Sequence, residues 1–177
     1  VNARRIALFA DQYPKANHAF IRREVQALER LDVQAVRWSS RSSAGTLVDP
    51  DDLAEERKTQ VMRAPENRRE LNIALAQELA RPERFFEAAS MADRLSQGLG
   101  QGLSRTSGRL QLLAEASLMK RWAHAHRVEH VHVHFGTRPT TVALLRRLLG
   151  GPRYSFAVHG PDEFDEATTL GLEDKIK

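Results

Sequence analysis

The chain opens with a β–α–β pattern that favours a parallel sheet. Residues 5–10 form a short apolar run bounded by Asp11 and Pro14, which is typical of a buried strand. Ile21, Val25 and Leu28 then recur at helical spacing and predict an amphipathic helix. Residues 33–38 predict a second strand. A crossover helix between strands of one sheet makes them parallel and the connection right-handed.

The middle of the chain is predicted to be mainly helical. Residues 39–52 are rich in Ser, Gly, Asp and Pro and indicate an exposed loop, and residues 60–62 indicate a short third strand. A helical section follows at about 65–127, with Pro82 near the start of its second helix. Residues 97–108 hold four glycines and are predicted to be a flexible joint.

The last third repeats the β–α–β order. Residues 129–135 alternate strictly in hydropathy, as a strand does, and Pro139 fits the first turn of the helix that follows. Gly150 is a natural end for that helix, and residues 154–158 predict another strand. The whole order favours an α/β, doubly wound, mostly parallel sheet with helices on both faces.

Composition narrows the function classes. The 177 residues suit about one domain, and the absence of cysteine excludes disulfides and thiolate chemistry. No apolar run is long enough to span a membrane, and no signal peptide is expected. The net charge is +4, and 22 of the 27 basic residues are arginines. A positive chain rich in arginine suits anionic partners. Nucleic acid is disfavoured because the arginines are scattered and aromatic residues make up only 6%.

Three polar loops are expected at the ligand-binding edge of the sheet. Parallel sheets bind ligands beyond the carboxyl ends of their strands, which selects residues 11–18, 136–140 and 159–165. Two of these loops precede helix N-termini, where free N–H groups favour an anion. Asn17 is a predicted cap for the helix that follows it, and Asp162 is predicted to cap or to orient the next segment. Dinucleotide, P-loop and hydrolase motifs are absent from the sequence.

Histidines at positions 130, 132 and 134 share one face of the predicted strand. Such alternation can hold zinc, but His130 and His134 lie about 13 Å apart at the usual rise of a strand. No acidic residue or cysteine within this segment completes a site. Buried, hydrogen-bonded histidines are therefore the expected state, and only His134 lies beside the predicted cleft.

His159 follows the last strand and precedes Gly160, a residue that permits close approach of a ligand or a positive φ. A histidine near Asp162 can act as a general acid or base. It can also exchange hydrogen bonds with a hydroxylated ligand. The second role is preferred, because neither a nucleophile nor a second catalytic carboxylate can be placed.

Two segments together resemble bacterial exopolysaccharide glycosyltransferases of family 4. The first matches a Tyr/Phe-Pro-Lys turn and the helix after it, and the second matches His-Phe-Gly/Ala and His-Gly-x-Asp-x-Phe. The segments cover about a third of the chain. The matching positions are Tyr13-Pro14-Lys15, Phe20-Ile21, Arg23-Glu24, Ala27-Leu28, His134-Phe135-Gly136, His159-Gly160, Asp162 and Phe164.

The resemblance implies the N-terminal, acceptor-side half of a GT-B fold, with residues 1–177 as one Rossmann-like domain. The donor-binding C-terminal domain is expected outside this chain, so the fragment alone is expected to be inactive. The full enzyme would move a sugar from a nucleotide sugar to a polysaccharide or lipid-linked acceptor, retaining configuration, with no metal or other cofactor. The enzyme would be located in the cytoplasm, and it would also associate peripherally with an anionic inner-membrane surface.

The resemblance also implies a set of site residues. His159 would be the catalytic-site histidine that bonds the donor sugar. The first loop departs from the family pattern, with no glycine and with Ala16-Asn17-His18, which puts diphosphate contact by this loop in doubt. Substrate-binding residues are expected to be Tyr13, Asn17, His18, His134, Gly136, Arg138, Gly160 and Asp162.

Two other functions stay open from the sequence. One is a non-catalytic α/β ligand-binding or regulatory module built on the same sheet. The other is a zinc hydrolase that uses His132 and His134. A donor motif in a further domain would favour the transferase, and stoichiometric zinc would favour the hydrolase.

Overall fold

The computed structural model describes residues 4–96 and 105–176. Its sheet has five parallel strands in the order β3-β2-β1-β4-β5. This confirms the predicted α/β, Rossmann-like doubly wound fold. The strands are β1 (Arg5–Gln12), β2 (Gln34–Arg41), β3 (Thr59–Val61), β4 (His130–His134) and β5 (Arg153–Ala157).

Helices connect and cover the strands. Among the described residues, none is both long and apolar enough to cross a membrane. The helices are α1 (Ala19–Arg30), α2 (Pro50–Glu56), α3 (Arg68–Glu78), α4 (Pro82–Ser96), α5 (Arg105–Ala125), α6 (Arg138–Leu148), α7 (Pro161–Asp165) and α8 (Leu172–Ile176).

Alternation along β1 separates two cores. Leu8 packs with Ile21 and Val25 of α1 on one face of the sheet. Phe9 and Trp38 belong to the larger core on the other face, where α5 and α6 pack. Because side chains alternate along a strand, one short apolar run can serve both cores.

The strand register puts the histidines of β4 on the α1 face. Leu8 pairs with His132, whereas Phe9 pairs with Val133. Val133 is fully buried in the larger core. The histidines therefore lie on the face that α1 partly covers, and their surroundings depend on that helix.

Several local predictions were wrong. Within the predicted loop 39–52, β2 extends to Arg41 and α2 starts at Pro50, where the Asp49 carboxylate accepts the N–H of Asp51 at 2.8 Å. An Asp-Pro pair is typical of a helix N-terminus. The helix that it starts has only 7 residues, too few to show a helical pattern in the sequence. Asn17 does not cap α1, because a 3-10 turn at Ala16–His18 runs directly into it.

The predicted joint at 97–108 falls mostly outside the described residues. Its last part, 105–108, is the first turn of α5, so no flexible joint lies there. A helix whose face packs against neighbours tolerates a glycine such as Gly108 because tertiary contacts outweigh intrinsic propensity. Pro139 does lie in the first turn of α6, as predicted.

Candidate functional site

An aromatic and imidazole cluster lies where β1, β4 and β5 end. The rings of Phe20 and Phe135 lie 4.7 and 4.8 Å from that of His159, measured between centroids. His18 lies 5.0 Å from Phe135 by the same measure. His134 stacks on His159 at 5.2 Å. Residues from loops more than 100 positions apart thus meet at the edge where such sheets bind ligands.

The two histidines at the centre of this cluster differ in exposure. His134 is fully buried, whereas His159 is exposed. His134 Nδ1 and His159 Nε2 lie 3.0 Å apart and share a hydrogen bond. Burial, together with the nearby imidazoles of His132, His159 and His18, lowers the pKa of His134 to about 3. His134 is therefore neutral at physiological pH and presents a fixed, uncharged partner to His159.

A carboxylate that the sequence analysis missed holds the His159 loop in place. Glu163 is buried and accepts the backbone N–H of His159 at 2.8 Å and that of Gly136 at 2.5 Å. It thereby ties the end of β4 to the loop after β5. The only sequence signal for it was its position beside Asp162 in the His-Gly-x-Asp-x-Phe motif, which directs attention to the aspartate instead.

The backbone between β4 and α6 is packed closely. Phe135 has a φ of 72°, which is unusual for a large side chain. A Cβ on Gly136 would lie 2.6 Å from Leu172 Cδ2, so a larger residue there would require the leucine side chain to shift. Lys175 donates to the carbonyl oxygens of Gly136 at 2.8 Å and Thr137 at 3.2 Å. A non-glycine residue held at positive φ beside an exposed histidine points to a constrained, functional loop.

Other predicted site residues lie around the cluster rather than in it. Asn17 and Asp162 are exposed, and α7 is capped at Gly160 without help from the Asp162 side chain, so the predicted cap was wrong. Gly160 does not have a positive φ, since its backbone is extended, and a Cβ there would meet open space. Tyr13 is buried, and its hydroxyl donates to Glu55 at 2.9 Å, away from the histidines.

Arg138 is engaged with an acidic residue that the sequence analysis also missed. It donates to Glu115 Oε1 at 2.6 Å. Glu115 is fully buried on α5 and also pairs with Arg63 at 3.2 Å and accepts from Ser40 at 3.2 Å. Its neighbours Leu113 and Ala116 are core residues, so its sequence context is that of a helix interior. The Arg138 guanidinium at the carboxyl edge of the sheet is therefore already neutralised by Glu115.

The face of β4 under α1 gathers a second set of groups. His132 Nε2 lies 3.7 Å from Glu24 Oε1, and His134 Nε2 lies 3.8 Å from Glu24 Oε2. Burial lowers the pKa of His132 as well as that of His134. His130 is not in this group, and it shares Ser155 Oγ with His132, at 2.8 Å in each case. Glu24, His132 and His134 could hold a metal ion.

Two cavities of different size lie away from these clusters. One of about 670 Å³ is lined by Arg5, Gln34 and His126, at the amino ends of β1 and β2. Another of about 960 Å³ lies between α3, α5 and the loop that holds Gly150 and Pro152. Ligands of doubly wound sheets bind at the opposite, carboxyl edge. The histidine cluster is therefore the better candidate site.

Chemically, the cluster offers hydrogen bonds and flat apolar surface rather than a nucleophile. His159 can exchange hydrogen bonds with hydroxyl groups, and Phe20, 37% exposed, can stack on a sugar ring. Comparisons of the chain with protein-family models, curated proteins and solved structures gave no match.

Proposed function

We propose that this chain is the acceptor-side, N-terminal domain of a retaining, nucleotide-sugar-dependent glycosyltransferase of the GT-B type. One observation supports this function best. The two segments that resemble family 4 enzymes, which are far apart in the chain, meet in the cluster of His18, Phe20, His134 and His159. They meet at the carboxyl edge of the sheet, where a facing donor domain would complete a cleft.

Within this proposal, His159 hydrogen-bonds a hydroxyl of the donor sugar. Its ring is exposed, while its backbone is held by Glu163 and its Nε2 by His134. Such preorganisation spares the cost of ordering the imidazole when the sugar binds. The bond between the sugar C1 and the phosphate oxygen breaks, C1 bonds an acceptor hydroxyl oxygen, and the hydroxyl proton passes to the leaving phosphate oxygen. His159 is a binding group in this step and takes no proton.

The acceptor lies against the rim of the cluster. His18 has its ring against Phe135, and its Nδ1 is buried without a hydrogen-bond partner. Asn17 and Asp162 are exposed beside the cleft and supply polar contacts. Arg138 is held by Glu115 with 18% of its side chain exposed. This mixture of stacking surface and hydrogen-bonding groups suits a saccharide or a lipid-linked saccharide.

A transfer assay on the full-length protein that contains this chain tests the function. A panel of nucleotide sugars is incubated with polysaccharide and lipid-linked acceptors, and product is measured for the wild type and for His159→Ala. We expect turnover with one donor and a loss of about 100-fold or more in the variant. Asp165→Asn, an exposed change in the same loop, serves as the control.

Three outcomes separate the alternatives. Unchanged turnover in His159→Ala contradicts the role given to His159. No turnover with any donor contradicts the transferase. Saccharide binding without turnover favours the non-catalytic ligand-binding module instead.

We also propose that the protein works at the anionic, cytoplasmic face of a membrane. Exposed apolar side chains lie on α3 at Ile73, just after it at Leu79, and on α4 at Phe86. Exposed arginines at 69, 81 and 84 accompany them along the same stretch of chain, with glutamates at 70, 83 and 87 between them. Arginine side chains beside exposed apolar residues are features that bind an anionic membrane surface.

Vesicle co-sedimentation tests this association. Binding to vesicles with anionic lipid is expected at low salt, and it should weaken as salt rises or when Arg81 and Arg84 are both changed to Gln. Equal binding to neutral and anionic vesicles, or none at all, would contradict it.

A further inference from the structure

We propose that Glu24, His132 and His134 form a binding site for a divalent transition-metal ion such as zinc. The site lies under α1, on the face of β4 that the strand register assigns to the histidines. It is independent of the proposed glycosyl transfer, for which no metal is required. The strand segment itself supplies only imidazoles, and the carboxylate comes from a helix more than 100 residues earlier.

The three ligand atoms are already gathered. They all lie within 4.8 Å of one another. Each histidine faces a different oxygen of the Glu24 carboxylate, His132 Nε2 at 3.7 Å from Oε1 and His134 Nε2 at 3.8 Å from Oε2. Ligand atoms of a tetrahedral zinc site lie about 3.3 Å apart. The Glu24 side chain is 40% exposed and can turn to bring a carboxylate oxygen closer to the nitrogens when an ion binds.

His134 supplies the strongest sign that a partner is missing. It is fully buried, yet its Nε2 has no hydrogen-bond partner. Buried polar atoms are normally satisfied, and an unsatisfied one needs an explanation. The nearest carboxylate, that of Glu24, is too far for a hydrogen bond. An ion between the two groups would satisfy both.

The outer hydrogen bonds of both histidines have the arrangement that a metal site requires. A metal on Nε2 requires the proton on Nδ1, and that N–H normally has an acceptor. His132 Nδ1 lies 2.8 Å from Ser155 Oγ, and His134 Nδ1 lies 3.0 Å from His159 Nε2. Ser155 can accept from His132 and donate its own proton to His130, so the His132 N–H has the acceptor that a metal ligand needs.

The arrangement specifies the class of ion. Two imidazoles and one carboxylate are a common ligand set for zinc and also suit Fe²⁺, Co²⁺ and Ni²⁺. Three protein ligands leave a fourth position for water. The partial exposure of Glu24 and His132, 40% and 24% for their side chains, provides an entry path.

The site would be coupled to the candidate sugar-binding histidine. With a metal on Nε2, His134 must donate from Nδ1 to His159 Nε2. A neutral His159 then carries its own proton on Nδ1. Metal occupancy would thus select one tautomer of His159 and determine whether its free nitrogen donates or accepts.

Zinc titration of the chelator-treated, tag-free protein tests the site. We expect one equivalent bound with a dissociation constant of about 1 μM or tighter, measured against a chromophoric chelator. Glu24→Gln and His132→Gln should each weaken binding by about 10-fold or more. Both residues are partly exposed, so both variants are expected to fold, which circular dichroism checks. His124→Gln, an exposed histidine on α5 outside the trio and its hydrogen bonds, is the control and should bind as the wild type.

Two further measurements sharpen the outcome. Cobalt in place of zinc should give the visible absorption of a four-coordinate site, and nitrogen NMR should show His159 protonated on Nδ1 once zinc is added. The absence of a stoichiometric site, or equal affinity in the wild type and both ligand variants, would overturn the proposal. A His159 that keeps its proton on Nε2 with zinc bound would overturn the coupling.

Discussion

Two buried polar regions lie on the α1 face of the sheet, and they differ in how completely their groups are bonded. Beside β2, Arg37 donates to Glu55 at 3.0 Å and to Glu29 at 2.5 Å, and Tyr13 and Lys58 donate to the same Glu55. Around β4 and β5, the groups are imidazoles. The first region consists of charges that neutralise one another, and the second of neutral rings.

In the first region the polar groups use their hydrogen bonds within the protein, whereas in the second some groups remain able to bond a ligand. Burial raises the pKa of Tyr13, and the Glu55 carboxylate adds to that rise, so this tyrosine stays a neutral donor. Its hydrogen-bonding capacity is used within the protein. In the imidazole cluster, by contrast, His18 Nδ1 and His134 Nε2 are buried without a partner, and His159 is exposed. Unused capacity of this kind is what a ligand or an ion can satisfy.

The largest effect is expected from breaking the charged network. Glu55→Gln leaves the buried Arg37 guanidinium without its main counter-charge, and removing one partner of a buried ion pair costs about 3 kcal/mol or more. Chemical unfolding measures the loss. Glu56→Gln, on the same helix, is the control, since the described residues give Glu56 no ion pair. A loss no greater than that of the control would mean that the network is not structural.

The same network predicts a pH dependence. Burial raises the pKa of Glu55, but hydrogen bonds and charge from Arg37 outweigh it, so the pKa lies below its ordinary 4.5. A carboxylate with a lowered pKa stabilises the folded state above the unfolded value, and that contribution is lost as the pH falls through the folded value. The stability gap between the wild type and Glu55→Gln should therefore be constant above pH 4.5 and shrink below it. A gap that stays constant down to pH 3 would contradict this origin.

The sequence predicts the strands and loops of this protein better than it predicts which buried polar groups meet. Strands and the cluster's histidines could be predicted because hydropathy alternation and loop position are local properties. Tyr13 was predicted as a binding residue because a turn motif does not reveal which buried carboxylate its hydroxyl meets. Glu24, although part of a matching motif, and Glu163 were given no role in the site for the same reason. Their importance comes from contacts across the fold, Glu24 with β4 and Glu163 with Gly136, and local pattern carries no signal for these.

An intermediate effect is expected at the carboxylate that supports the cluster. Glu163→Gln keeps the shape but leaves one acceptor oxygen for two backbone N–H groups, those of His159 and Gly136, so one of them loses its acceptor. Hydrogen bonds to a charged group contribute about 1.5–3 kcal/mol, so a loss of about 1–2 kcal/mol in the free energy of unfolding is expected. Hydrogen exchange should also accelerate at the His159 amide. Asp162→Asn, one residue earlier and exposed, should change neither quantity.

A smaller effect is expected at Tyr13. Tyr13→Phe removes a single buried hydroxyl, whose hydrogen bond to Glu55 is worth about 1 kcal/mol. Glycosyl transfer by the full-length protein should be unchanged, because that hydroxyl faces the charged network. A variant with normal stability and impaired transfer would reverse this assignment and restore Tyr13 to the binding site.

The smallest effect on stability is expected where the effect on function is largest. His159 is exposed, and its ring contacts His134, Phe20 and Phe135. Exposed substitutions away from buried hydrogen bonds usually change the free energy of unfolding by no more than about 0.5 kcal/mol. Here water can replace the exposed imidazole as the partner of His134 Nδ1, which keeps the loss in the same range. His159→Ala should stay within that range, measured by the same unfolding experiment as Glu55→Gln. A loss near that of Glu55→Gln would make His159 part of the fold, and the cluster would then be a second structural network. A variant that stays as stable as the wild type but has lost transfer would instead show that the imidazole contacts the ligand. Its contribution would then appear in binding and turnover, and not in the free energy of unfolding.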